Sequence, residues 1–238
     1  GCFFTVFPDD DGIIRRYNLL LSHEGEVYPS LALEMARQFF VAEGVRIDTA
    51  PVGDVQALEA IRMPGLRQPI STDGAGQVLV PYRGKRGSFP YISATDVLEG
   101  RVEQGDLANT LILLGSSAQG LYDLRATPVQ NVYPGVEVHA NVLAGILQQR
   151  FPLRPSWAEG ANFTFMLAVG LLLAFVLPRL SPLPLTGITL GSGVAVVGIN
   201  LGMWTGLNWV LPLALPLVMV IGLGTLNMAY GFLFEERN

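Results

Sequence analysis

The chain has 238 residues, a formal net charge of −5 and a mean hydropathy of +0.40. That balance gives no basic footprint for nucleic acid. The single cysteine, Cys2, excludes an intrachain disulfide, and with only two histidines beside it a zinc centre is not expected. Charge is concentrated at the front: 31 of the 35 Asp, Glu, Lys and Arg residues fall within 1–160, and Arg179 is the one charge from Ala161 to Phe234. A membrane crossing takes about 20 apolar residues, so the tail accommodates three, and the front is long enough for one ordinary domain.

At the N-terminus, Gly1-Cys2 suggests lipidation weakly, and a small buried thiol is the plainer expectation. Residues 3–7 (Phe-Phe-Thr-Val-Phe) read as a buried strand, Pro8 to Gly12 as a turn, and Ile13 to Leu21 as the returning strand of a hairpin. Asp9-Asp10-Asp11 is expected to cap that turn rather than to hold calcium. Pro29 and Ser30 open an amphipathic helix through Leu31, Leu33, Met35, Phe39 and Phe40, with Gly44 as its stop. Ile70 to Thr72 and Gln77 to Tyr82 read as strands around the turn Asp73-Gly74, while the rest of 45–75 carries no clear pattern. Arg83-Gly84-Lys85-Arg86-Gly87 is a basic, glycine-rich loop. It can hold an anion through backbone N–H groups and cations, but it lacks the phosphate-loop pattern, and a solvated hairpin turn is the plainer expectation.

Ser93 is expected to cap a short helix, Ala94 to Glu99, ended by Gly100. Thr110 to Leu114 reads as a strand buried on both faces. A long, mostly polar loop follows, Ser116 to Asn131, and then a second amphipathic helix from Glu137 to Gln149. Strands alternating with helices predict an α/β domain, a mixed sheet with flanking helices and at least one parallel pair, over residues 1–160.

Apolar runs at 161–177, 184–203 and 209–230 predict an all-α unit of three transmembrane helices over 161–234. Residues 235–238 then begin a cytoplasmic linker. Trp157, Trp204 and Trp209 fall at span ends that share one membrane face, the interfacial depth tryptophan prefers. Arg179 and Arg237 fall on the opposite face, which the positive-inside rule makes cytoplasmic. Gly187 and Gly191, four apart in the second span, allow close helix approach, either between two copies or within one unit.

Gly115-Ser116-Ser117-Ala118-Gln119-Gly120 approaches the serine-hydrolase elbow, and Asp123 and His139 follow in hydrolase order. Gln119 occupies the place of the second glycine, so loop hydrogen bonding is the better reading for these serines. Asp123, Arg125 and His139 are expected to gather under the 116–131 loop. They act there either as a buried Asp–Arg pair holding the loop or as a small-molecule contact site; His139 alone titrates near neutral pH and could sense acidity, but a structural histidine is the plainer expectation. The candidate ligand-binding residues are therefore Arg83, Ser116, Ser117, Asp123, Arg125 and His139, with no catalytic residue, no metal and no cofactor.

Several blocks occur in order along the front of the chain. They are Phe7-Pro8-Asp9 through Gly12 with Arg15-Arg16, Tyr28-Pro29-Ser30-Leu31-Ala32-Leu33, and Tyr82-Arg83-Gly84 with Phe89-Pro90 and Ser93-Ala94. Further on come Gly115-Ser116-Ser117-Ala118, Asp123, Ala126-Thr127-Pro128 and Pro134 to Asn141. Together they resemble the C-terminal part of the CHASE type 2 domain, an extracytoplasmic sensor of bacterial receptors, over about two-thirds of the chain. The resemblance implies a multi-pass protein of the bacterial inner membrane with its sensor outside, three transmembrane helices directly after the sensor, and an N-terminal anchor with more sensor sequence before residue 1. It also implies a cytoplasmic output: a nucleotide cyclase, a histidine kinase or a serine/threonine kinase. Phe234-Glu235-Glu236-Arg237 is similar to the lead into a class III adenylate or guanylate cyclase. The partners so implied are the lipid bilayer, an extracytoplasmic small molecule or physical stimulus, and a second copy in a homodimer. The rivals are a membrane-anchored serine hydrolase and a transporter fragment.

Overall fold

The computed structural model describes residues 1–53, 55–116, 123–155 and 157–235, and divides into two compact units, Gly1–Pro152 and Leu153–Asn238.

In the first unit β1 (Arg16–Asn18) is followed by the hairpin of β2 (Leu20–His23) and β3 (Glu26–Pro29), and then by helix α1 (Leu31–Phe39). The buried Ser30 caps α1, its Oγ accepting from Leu33 N–H at 3.3 Å, which satisfies one of the first-turn donors that a helix leaves unpaired. The helix ends before Gly44: Ala42 N–H reaches back to Arg37 carbonyl at 2.9 Å and Val41 takes the left-handed conformation at φ 52°. That 6→1 bond closes the terminus at Ala42, three residues after Phe39, so the glycine is not needed.

Next come β4 (Arg46–Val52) and β5 (Val55–Arg62), an antiparallel hairpin with a register shift at Asp48/Thr49, joined on the β5 side by β6 (Ile70–Ser71). Strand β7 (Gln77–Leu79) pairs antiparallel with β1. Two short helices, α2 (Ala94–Leu98) and α3 (Gln104–Leu107), precede β8 (Leu124–Arg125), β9 (Tyr133–Pro134) and the long α4 (Gly135–Gln148). The domain is thus several small sheets with helices. Among the described residues every named strand pair is antiparallel, and parallel relations are confined to isolated bridges such as Phe3 with Ser30 and Ile13 with Ala126.

Its core lies between α1, α4 and the strands. Ile14, Tyr17, Leu19, Leu33, Val138, Val142 and Ile146 are each at most 2% exposed, and each fully buried aliphatic contributes about 1.5–3 kcal/mol. The α4 members repeat at i, i+4 and i+8, the stripe the sequence predicts.

Three expectations for this unit are corrected. Residues 3–7 do not pair with 13–21. Phe3 instead bonds beside Pro29 and Leu31, Val6 alone of the run is buried, and Phe4 and Phe7 are exposed. Thr110 to Leu114 forms no strand: Leu111, Ile112 and Leu114 are exposed and no strand lies alongside among the described residues. Cys2 is exposed rather than buried. An apolar run reports what a segment would bury, not whether a partner strand is in reach.

The second unit holds α5 (Ala158–Val176) with a 3-10 turn at Leu177–Arg179, α6 (Pro182–Leu207) and α7 (Ala214–Glu235). Ala158–Arg179 and Leu183–Leu207 are long and apolar enough to cross a membrane, whereas Ala214–Tyr230 is a shorter apolar helix. The third helix starts five residues later than the sequence predicts because 208–213 is spent on a folded connection. Asn208 closes α6 in the left-handed conformation. Leu153 N–H donates to Asn208 carbonyl and Val210 N–H to Leu153 carbonyl, both at 2.9 Å. Asn200 Nδ2 donates to Leu211 carbonyl at 3.1 Å. Leu173, Leu177, Leu185 and Val220 form the core of the unit.

Candidate functional site

Helix α4 organises the polar interior of the sensor unit. The block Pro134 to Asn141 places Glu137, His139 and Asn141 in its first two turns, all three at least nine-tenths buried. A buried carboxylate must be hydrogen-bonded to be tolerated. Glu137 Oε1 accepts from Ser88 N–H at 2.9 Å and Gly87 N–H at 3.1 Å, and Oε2 accepts from Tyr91 Oη–H at 2.8 Å. The glycine-rich basic loop therefore does hold an anion through its backbone, and the anion is a side chain of this same chain. Burial, and then the bond to Glu137, push the Tyr91 phenol well above its ordinary value.

Asn141 completes the strap. Its Oδ1 accepts from Arg83 N–H at 2.9 Å, and its Nδ2 donates to Tyr133 Oη at 2.8 Å and to Glu137 carbonyl at 2.7 Å. Gln130 Oε1 accepts from Arg86 N–H at 3.0 Å. The loop is thus held at Arg83, Arg86, Gly87 and Ser88 from α4 and the segment before it.

His139 faces the other way. Its Nδ1 lies 2.7 Å from Tyr17 Oη, with the rings edge to face. Burial pushes the Tyr17 phenol up to about 12, against smaller opposing effects from Ser30 and the Ala32 backbone. Burial also lowers the pKa of His139, while the charge of Asp123 and a backbone bond at Phe4 oppose that shift.

Asp123 sits against the first residue of α4. Its carbonyl accepts from Gly135 N–H at 2.8 Å, and its carboxylate occupies the space a side chain at residue 135 would need. An anion is favoured at a helix N-terminus, and Pro134 offers no capping side chain there. Among the described residues no ion pair joins Asp123 to Arg125, and the Asp123 carboxylate lies against the first residue of α4. Gly115 likewise packs on Val136 too closely for a side chain. The Oγ of Ser116 and the Nε of Arg125 are buried without a hydrogen-bond partner among the described residues.

The structure therefore brings Asp123 and His139 together around α4, with Arg125 on the strand that pairs with β9 and Ser116 one residue beyond Gly115. The Arg83 side chain does not join them, because its guanidinium lies over the Phe89 ring at 5.0 Å. Ser117 lies outside the described residues. Glu137, Tyr91 and Asn141 were not among the candidates. The available signals were an acidic residue in the first turn of a helix and a basic loop that needed an anion. No group of metal-ligating side chains is found among the described residues.

No curated protein and no solved structure matches this chain. The family model of the CHASE2 domain matches residues 2–174, covering every block quoted above, the whole α4 frame and most of α5. The chain belongs to the CHASE2 family, the extracellular sensor domains of signalling receptors.

Proposed function

We propose that this chain is the signal-input module of a bacterial receptor of the inner membrane. It contains no catalytic centre of its own. A small molecule or physical stimulus acts on the sensor unit, and α5, α6 and α7 pass the change across the bilayer to a cytoplasmic output. The observation that carries this reading is the continuity of the family match through the sensor unit into α5. The output we favour is a class III adenylate or guanylate cyclase, on the resemblance of Phe234 to Arg237 to the lead into such domains, ahead of a histidine or serine/threonine kinase. Class III cyclases build their active sites from two catalytic domains, so the module would work as a homodimer. Ser116 and Arg125, whose buried Oγ and Nε have no hydrogen-bond partner among the described residues, are the residues we assign to stimulus contact, together with Asp123 and Ser117; Arg83 and His139 take structural roles.

The reading requires α7 to cross as a third span, which its helical length allows at 1.5 Å rise per residue. Topology tests it. In a Cys2→Ser background, cysteine replaces Ser181 at the α5–α6 turn or Thr205 at the far end of α6. An impermeant thiol reagent added to intact cells should label position 205 and spare position 181. Labelling of both, or of neither, would exclude this topology.

A further inference from the structure

At the Trp157 end of the second unit a cavity of about 160 Å³ opens between α5, α6 and the connection into α7. Its walls are apolar apart from two amides: Trp157, Phe165, Ile199 and Leu211 line it together with Asn162 and Asn200. Trp157, one of the lining residues, stacks edge to face on Trp209 at 5.1 Å. A cavity of about 150 Å³ takes a benzene-sized molecule. The amides are only partly used: Asn200 Nδ2 donates to Leu211 carbonyl, Asn162 Nδ2 lies 3.7 Å from Met166 Sδ, and neither amide oxygen accepts a hydrogen bond among the described residues. Polar side chains inside a span are expensive and mark function when they face a cavity.

We propose that this cavity binds a ring-bearing alcohol, a phenol-like molecule delivered by the bilayer, as a second input to the receptor. A hydroxyl suits both amides at once, donating to an asparagine oxygen and accepting from an asparagine N–H, while the ring fills the apolar volume against Trp157 and Phe165. A purely apolar guest would leave both amide oxygens unpaired, and a water molecule would leave most of the volume empty. The proposal rests on the reading of α5 and α6 as membrane spans.

The test uses the full chain, with Trp204→Phe so that only Trp157 and Trp209 emit, in phosphatidylethanolamine–phosphatidylglycerol vesicles. The probe is 4-bromophenol, a heavy-atom quencher, with bromobenzene as the analogue lacking the hydroxyl. Expected is a saturable quenching component above linear partitioning. Ala161→Phe, which fills the cavity, should abolish it, and Asn162→Leu should weaken it about fivefold, the value of one hydrogen bond. Bromobenzene should behave as the alcohol does with Asn162→Leu or worse. Linear quenching alone in the parent chain, an unchanged saturable component in both variants, or equal affinity for the two probes would overturn the proposal. Brominated lipids tested in parallel should quench the same pair. Saturable phenol binding without lipid quenching would sink the membrane reading and the bilayer as the ligand's source, while lipid quenching without saturation would sink the cavity alone.

Discussion

His139 shows how one side chain couples distant parts of the sensor unit. It joins α4 to β1 through its bond to Tyr17. Because burial lowers its folded-state pKa, the unfolded chain binds its proton first. The neutral imidazole therefore contributes stability that is fully present above the unfolded value of about 6.5 and is lost as pH falls below it toward the folded value. His139→Gln keeps an acceptor for Tyr17 but does not titrate. Its melting temperature should fall less steeply than the parent's as pH drops below about 6.5, and parallel melting curves for the two proteins would remove His139 as the source. The sequence made His139 visible because histidine always raises this question. It did not make Glu137 visible as a structural anion, because its donors, Gly87 and Ser88, are fifty residues away and are backbone groups.

Among the elements, those with local signals were legible and those needing a distant partner were not. Helices α1 and α4 announce themselves by period and, for α1, by the Ser30 cap, and both form close to the expected spans. The β4–β5 hairpin carries Pro51 and charges at Arg46, Asp48 and Arg62, which mask any alternation, so it emerges only in three dimensions. The runs 3–7 and 110–114 err the other way, being apolar enough for strands without pairing as strands. The stop of α1 gives a prediction at this scale. Val41 holds a left-handed conformation while 87% exposed, so it is strained and packs little. Left-handed geometry costs a residue with a Cβ about 1–2 kcal/mol, partly offset by the greater unfolded-state freedom of glycine. Val41→Gly should therefore stabilise the protein by about 1 kcal/mol, raising its melting temperature by about 2–4 °C. A lower melting temperature would show that Val41 contributes packing which its exposure conceals.

For the whole molecule, the glycines sort the helix faces of the second unit. A side chain at Gly170 would meet Met219, and one at Gly224 would meet Thr189, so these two serve packing within one chain. At Gly187, Gly191 and Gly198 on α6 a side chain would meet nothing. Of the two uses the sequence left open for Gly187 and Gly191, packing within the unit is therefore not the one seen, and close approach of a second copy remains as the proposal. In a Cys2→Ser background, a cysteine at Val194, seven residues from Gly187 on the same face, should cross-link between copies. Gly187→Ile combined with Gly191→Ile should reduce that cross-linking severalfold, while Gly224→Leu should disturb the unit itself. Unreduced cross-linking in the double variant would place the seam on another face.

The carboxylate of Glu137 inside the basic loop also bears on what the sensor ignores. A receptor for anions that carries its own anion on a rigid neighbouring helix is occupied at an effective concentration set by tethering, on the order of millimolar or above. Chloride, phosphate or free carboxylates in the surrounding medium compete against that internal ligand, without the advantage of being attached. The loop between Arg83 and Tyr91 thus meets a tethered anion ahead of any free one, and it is held both from α4 and from Gln130 before it.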